Sequence, residues 1–178
     1  SRLMIGAEPP QLQQRALTAG GVVLQVQGLD LPRQDAFGTD LHDIRFDVRA
    51  GEIVGIAGVS GNGQQELMAA LSGEDPRAAP AAITLFGQPI GHHSPRRRRK
   101  EGLHFVPEER LGRGAVPTLS LAQNTLLTRT EPVSRSGWVN VRHVERLAQD
   151  IIARFNVRGG GTRSTAKSLS GGNLQKFL

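Results

Sequence analysis

The chain has 178 residues, of which 38% are hydrophobic, and this is enough apolar material to bury the core of an ordinary domain. It contains no cysteine, which excludes disulfides and thiol chemistry, and no apolar run approaches the ~20 residues that cross a bilayer. The net charge is +6, but aromatic residues make up only 4% and the basic residues are scattered outside residues 96–100, so binding to nucleic acid is not favoured. Phosphate ligands or anionic lipid headgroups account for the positive charge equally well. Because the first residues lack the basic-then-apolar pattern of a signal peptide, we expect a cytoplasmic protein.

The first fifty residues predict a connecting segment followed by two strands. Residues 1–20 combine the pair Pro9-Pro10 with a cluster of glutamines, which is typical of a linker. Alternating apolar and polar residues predict strands at 22–27 and 44–48. The polar residues 31–40 between these strands predict a loop that carries Phe37.

Residues 51–73, GEIVGIAGVSGNGQQELMAALSG, predict a strand, a glycine loop and a helix in that order. Residues 53–57 are apolar and rich in strand formers, residues 58–63 are half glycine, and residues 64–71 have helix-forming composition, with Gly73 placed as the C-cap. This order is the frame of a phosphate-binding loop, in which backbone N–H groups and the positive end of the helix dipole attract a polyphosphate.

The loop departs from the usual motif G-x-x-x-x-G-K-[ST] at its two polar positions. Gly58 and Gly63 have the expected spacing, but Gln64 and Gln65 stand where Lys and Ser or Thr are expected. An amide brings no charge, and loss of one preorganised donor costs about 10²- to 10³-fold in rate. We therefore expect a nucleotide site that hydrolyses poorly or not at all, and the alternative is a glycine turn without a ligand.

The second half of the chain predicts two further strands and three helices. Strands are predicted at 82–86 and 103–106, and a short exposed helix at 96–101 after Ser94-Pro95, whose basic run we interpret as a solvated face. A capping box, Ser120 to Gln123, predicts a helix, and Asn140 is placed to cap a longer amphipathic one. The isolated Trp138 is expected to anchor this helical part, and the five histidines show no metal-binding spacing.

The sequence LSGGN at residues 169–173 completes a set of three motifs, with the glycine loop at 58–65 and FVPEER at 105–110. In this order they resemble the ATP-binding cassette ATPases of transporters, and most of all the second cassette of the double-cassette subunits that energise ribose, galactose and nucleoside importers. The resemblance implies an α/β P-loop NTPase with a RecA-like core, an antiparallel β subdomain and a helical subdomain, truncated before the Walker B carboxylate. It divides the chain into an inter-cassette linker (1–20), a β subdomain and partial core with the phosphate loop (21–107), and a helical subdomain that ends in the signature motif (108–178).

The resemblance also implies two half-sites for ATP. In this family the signature motif closes over ATP held by the opposite cassette, so an absent first cassette of the same polypeptide would be the partner. Mg²⁺ would accompany ATP, with Glu108 as the metal-binding residue, although Glu108 is equally well interpreted as an exposed loop acid. Phe37 either stacks on adenine or packs locally. The implied nucleotide-binding residues are Gly58, Val59, Ser60, Gly61, Asn62, Gly63, Gln64, Gln65, Ser170, Gly171, Gly172 and Asn173.

The function implied is an energy-coupling component of a sugar or nucleoside importer, peripheral on the inner face of the membrane. Permease subunits would dock near residues 108–127, and an extracellular substrate-binding protein would act indirectly. The complete protein would be a transport-coupled ATPase, but no catalytic residue is assigned in this chain, because the general base would lie beyond the signature, and the chain alone is expected to be inactive. Two alternatives are a non-hydrolysing, nucleotide-dependent interaction module and a basic nucleic-acid-associated P-loop protein.

Overall fold

A computed structural model describes residues 18–129, 133–135 and 138–178. The chain forms two compact units, one up to Ser94 and one from Pro95 onward. Most of the predicted linker, residues 1–17, lies outside the described residues, and the domain boundary drawn at residues 107/108 from the family resemblance stays a prediction.

The first unit is built on a four-stranded antiparallel sheet. Its strands are β1 (Val22–Leu31), β2 (Leu41–Arg49), β3 (Ile83–Leu85) and β4 (Gln88–Pro89), in the spatial order β2-β1-β3-β4. The strands predicted at 22–27, 44–48 and 82–86 are confirmed, and the first two are longer than predicted. The helix α1 (Gln64–Ser72) and a 3₁₀ turn (Pro80–Ala82) complete the unit.

The core of this unit lies on β1 and its neighbours. Val26 pairs with Phe46 on one side and with Ile83 on the other, and Val26, Leu29 and Ile83 are fully buried. Gly73 ends α1 in a left-handed conformation, φ 83°, with its N–H donating to the carbonyl of Ala69 at 3.1 Å. This is the C-cap that the sequence predicted.

The two strands predicted at residues 53–57 and 103–106 do not form, and this corrects the sequence interpretation. Within the described residues, no strand hydrogen-bonds to either segment. Ile53 is 94% exposed and Ile56 and Val106 are about half exposed. Apolar composition on both faces is typical of a strand buried in a parallel sheet, but such a strand exists only where a neighbouring backbone satisfies its N–H and C=O groups.

The second unit consists of helices and short irregular segments. The helices are α2 (Pro95–Lys100), α3 (Leu121–Thr128), α4 (Val141–Arg154) and α5 (Gly171–Phe177). A short hairpin pairs β5 (Ser134–Arg135) with β6 (Trp138–Val139), and a 3₁₀ turn spans Ala166–Ser168. None of the described helices has the length and apolar character that crossing a membrane requires.

Local hydrogen bonds fix both longer helices as predicted. Ser120 Oγ accepts from the N–H of Gln123 at 3.1 Å, and Gln123 Oε1 accepts from the N–H of Ser120 at 2.9 Å, which completes the capping box of α3. Asn140 Oδ1 accepts from the N–H of His143 at 3.0 Å at the start of α4. On the apolar face of α4, Val144 and Ala148 are buried, whereas Val141 and Phe155 remain largely exposed.

Two expectations about this unit are corrected. Trp138 is 84% exposed, so it is not the buried anchor that the sequence predicted. The basic run on α2 is not wholly solvated, because Arg98 is almost fully buried and burial lowers the pKa of its guanidinium.

Candidate functional site

The phosphate loop, residues 58–65, joins an exposed irregular segment to the start of α1. Gly61 and Gly63 adopt left-handed backbone conformations, φ 88° and 91°, which glycine allows at no steric cost. Gly63 is buried, and a Cβ there would lie 3.0 Å from Leu41 Cδ2. The loop therefore turns through two left-handed glycines, and it contains no charged residue.

The side chain of Gln64 folds back across this loop, and both the nitrogen and the oxygen of its amide form hydrogen bonds to the loop backbone. Its Nε2 donates to the carbonyl of Val59 at 2.9 Å, and its Oε1 accepts from the N–H of Asn62 at 3.1 Å. The side chain of Asn62 also donates to the carbonyl of Val59, at 3.2 Å. A lysine has donors only and could not accept from Asn62. The N–H of Asn62 is therefore already bonded to an oxygen of the protein itself, Gln64 Oε1.

The amide of Gln64 also lies close to the glycine at the start of the loop. A Cβ on Gly58 would lie 2.6 Å from Gln64 Nε2, which is closer than real contacts allow. Gln65, by contrast, is exposed. The two glutamines that replace the expected Lys and hydroxyl residue thus differ: one closes the loop and the other faces solvent.

Phe37 lies in the turn formed by residues 33–40, which we call the aromatic turn. Asp40 Oδ1 accepts from the N–H of Arg33 at 2.7 Å, and Asp35 Oδ1 accepts from the N–H of Phe37 at 2.8 Å. The ring of Phe37 is 100% exposed, so the interpretation of Phe37 as a local packing residue is wrong. Its stacking on adenine stays a prediction.

The signature segment, residues 169–173, is held by side-chain hydrogen bonds and by a core. Asn173 Oδ1 accepts from the N–H of Arg158 at 2.9 Å, and Asn173 Nδ2 donates to Ser170 Oγ at 2.9 Å. Leu169 and Leu174 are buried at its two ends. Ser170, Gly171 and Gly172 between these anchors are exposed. Seven buried residues form the supporting core: Ala115, Leu121, Val157, Ala166, Leu169, Leu174 and Phe177.

Sequence reasoning missed a residue beside this segment. Arg110, the last residue of FVPEER, places its guanidinium next to Gly171, where a Cβ would lie 2.8 Å from Arg110 Nη1. The backbone carbonyl of Arg110 accepts from the N–H of Ala115 at 2.8 Å, which fixes the turn that carries it. The two residues are 61 positions apart, and no pattern in the sequence connects them.

Glu108 is exposed on the chain just before Arg110. Among the described residues, no group of three or more His, Cys, Asp or Glu side chains could hold a metal ion. Coordination of Mg²⁺ by Glu108 stays a prediction. A separate open depression on the polar face of α4 shares no residue with the predicted sites, and its lining residues are Arg142, Glu145, Arg146, Gln149 and Thr162.

Comparison with known proteins identifies the class to which these features belong. The ABC transporter family matches residues 41–178, which include both the phosphate loop and the signature segment. The chain therefore belongs to the ABC transporter family, and its fold is the α/β P-loop cassette that the motifs predicted.

Several relatives of this chain are named as ATP-binding proteins of importers. The chain is 37% identical over 178 residues to the ribose import ATP-binding protein RbsA 2 of Streptomyces coelicolor, with 99% of this chain and 33% of the relative covered. It is 33% identical over 181 residues to the nucleoside import ATP-binding protein NupA of Lactococcus lactis, covering 100% and 35%. It is 35% identical over 180 residues to the guanosine import ATP-binding protein NupO of Bacillus subtilis, covering 99% and 35%. The chain thus spans about a third of the length of these relatives.

Proposed function

We propose that this chain is part of the ATP-binding, energy-coupling component of an importer for a sugar or a nucleoside. The observation that carries the proposal is the contrast between two segments of one chain: a phosphate loop closed by Gln64 and a signature segment whose Ser170, Gly171 and Gly172 are exposed. The names of the ribose and nucleoside relatives support the direction of transport and the class of substrate.

The proposed mechanism uses the two segments differently. The signature segment completes the ATP site of a first, lysine-bearing cassette, where Ser170 and the two following glycines contact the terminal phosphate. Asn173 positions this segment, because its amide ties Ser170 to the backbone of Arg158. The phosphate loop of this chain supplies a second site that binds ATP without hydrolysing it efficiently, since neither glutamine brings a charge or a hydroxyl.

Mg²⁺ would neutralise charge between the phosphates of bound ATP. Glu108 offers the oxygen ligand that Mg²⁺ prefers, and no residue of the phosphate loop after Gly63 offers a hydroxyl to the ion. This asymmetry fits a site for binding rather than for turnover.

The partners follow from the same proposal. Permease subunits dock near Glu108–Leu127, and an extracellular substrate-binding protein delivers the solute to them. The component itself is cytoplasmic and peripheral, held at the inner face of the membrane through the permease.

The test is ATP turnover by a protein in which this chain is joined to a lysine-bearing first cassette. Ser170→Arg places a bulky cation in the exposed part of the signature segment and is expected to abolish turnover. Gln149→Arg adds the same side chain to an exposed position on α4 and is the matched control, expected to leave turnover unchanged. Full activity of Ser170→Arg would show that the signature segment does not serve the partner's ATP.

A second function is favoured by one observation. The N–H of Asn62 already donates to the side-chain oxygen of Gln64. A loop bonded in this way is suited to a non-hydrolysing module that uses nucleotide only to hold a partner. ATP-dependent association with the first cassette, together with unchanged turnover in Ser170→Arg, would support this function instead.

A further inference from the structure

The aromatic turn and the start of α1 are joined by a set of hydrogen bonds that the family motifs do not include. Glu66 lies in the first turn of α1, and its Oε1 accepts from the backbone N–H of Thr39 at 3.0 Å. Thr39 Oγ1 donates to the carbonyl of Gly61, in the phosphate loop, at 3.0 Å. One residue of the turn is therefore bonded both to the helix and to the loop.

Two glycines mark where the turn lies beside the loop and the helix. A Cβ on Gly63 would lie 3.4 Å from Thr39 Cγ2, and a Cβ on Gly38 would lie 3.5 Å from Glu66 Oε1. The methyl group of Thr39 thus lies on the side of Gly63 where a side chain would stand, and its hydroxyl bonds the loop at Gly61.

The other end of the turn is also held by a carboxylate, in this case one that follows α1. Gln34 Nε2 donates to Asp75 Oδ2 at 3.0 Å, and Asp75 is buried and paired with Arg77, whose Nη2 lies 2.6 Å from Asp75 Oδ2. Between these two attachments the ring of Phe37 is fully exposed. An exposed ring on a turn that is fixed at both ends is suited to receive a planar ligand, because little freedom is lost on binding.

We propose that Glu66 is a positioning residue which, through Thr39, fixes the aromatic turn on the phosphate loop so that base and phosphate recognition act as one site. This inference rests on the proposed function, because it concerns the nucleotide that the phosphate loop would bind. It assigns to Glu66 a role in affinity for the base and none in affinity for the phosphates.

The experiment compares ATP with inorganic triphosphate as ligands of the whole chain, with affinities measured by calorimetry. Glu66→Ala is expected to weaken ATP binding about tenfold, the size of one lost base-stacking contact, and to leave triphosphate binding unchanged. Glu66→Gln keeps an oxygen acceptor for Thr39 N–H and is expected to bind ATP as the unchanged chain does. Glu145→Ala removes one carboxylate from α4 in the other unit and is the charge-matched control.

A second variant tests the same contact without altering the helix. Thr39→Val keeps the shape of the side chain but removes the hydrogen bond to Gly61, so it is expected to weaken ATP binding in the same selective way and by less. A Phe37→Trp probe in a Trp138→Phe background should show lower fluorescence anisotropy when Glu66 is replaced by alanine.

The outcomes separate the two proposals. Equal weakening of ATP and triphosphate binding in Glu66→Ala, or no change in either, overturns this inference and leaves the proposed function standing. An unchanged chain that binds neither ligand overturns the proposed function, and the inference fails with it.

Discussion

The phosphate loop and the signature segment are both glycine-rich turns before a helix, but they are supported in opposite ways. Behind the signature segment lies a buried core that includes Leu169, Leu174 and Phe177. Before the phosphate loop lies a segment whose apolar residues face solvent, with Ile53 the most exposed. The loop instead holds its shape with the side chains of Gln64 and Asn62.

Glycine content alone therefore does not define what a turn can bind. In the loop, side chains bond the backbone N–H of Asn62 and the carbonyl of Val59, whereas in the signature segment Asn173 bonds the hydroxyl of Ser170 and the backbone of Arg158, and Ser170, Gly171 and Gly172 stay exposed. A segment that is supported by a buried core can present its backbone to a partner. A loop whose backbone is bonded by its own side chains must rearrange before it can do the same.

The largest expected effect is on stability, through Leu174→Ala. Leu174 is 2% exposed, and truncation of such a residue costs about 2–5 kcal/mol because a cavity remains. Ile53→Ala, at a 94% exposed position, is expected to change the free energy of unfolding by less than about 0.5 kcal/mol. Urea denaturation of the two variants measures the difference, and comparable losses would remove the contrast between the two segments.

The next effect is on nucleotide affinity, through Gln64→Lys. This change removes the acceptor for the N–H of Asn62 and adds a positive charge, so ATP binding to the loop should strengthen about 10- to 100-fold, in line with a charge-assisted hydrogen bond. Gln65→Lys adds the same charge one residue later, at a position that faces solvent, and should strengthen binding less. Calorimetric titration with ATP distinguishes them, and equal gains would show that the closure by Gln64 has no effect on binding.

The smallest expected change is in how the stability of the first unit depends on pH. The Arg77 side chain is the main reason that the pKa of Asp75 is lowered from 3.8 to about 2, with further help from Gln34. Because the pKa in the folded state lies below the unfolded value, the stabilisation is complete above pH 3.8 and is lost as the pH falls toward 2. The size of this contribution is roughly 2 kcal/mol.

Asp75→Asn keeps the shape of the side chain and removes the titrating group. It should lower stability at neutral pH and flatten the acid limb of the stability profile, as followed by circular dichroism in urea. An unchanged acid limb in this variant would show that Asp75 does not support the first unit in this way.

Sequence reasoning was most successful where the structure depends on neighbours within four residues. The capping box of Ser120 and Gln123, the Asn140 cap and the Gly73 C-cap were all predicted and are all present. Each is a hydrogen bond between a short side chain or a backbone N–H and the adjacent helical turn, so its partner is already fixed by the spacing.

Sequence reasoning failed where a residue depends on a partner far along the chain. The segments at 53–57 and 103–106 have the composition of strands, but no described strand pairs with either of them. Arg98 is buried because of where α2 lies and not because of the charge run to which it belongs. The place of Arg110 beside Gly171 had no counterpart in the pattern of residues.

For the candidate site, the family, the positions of the two glycine-rich segments and the lack of charge in the phosphate loop follow from the residues alone, because they depend on residue type and spacing. The bonding of Gln64 across the loop, the exposure of Phe37 on a fixed turn and the hydrogen bond between Glu66 and Thr39 became visible only in the folded chain. Side-chain hydrogen bonds form between atoms within about 3.5 Å of each other, and such distances between residues 27 positions apart exist only after the chain has folded.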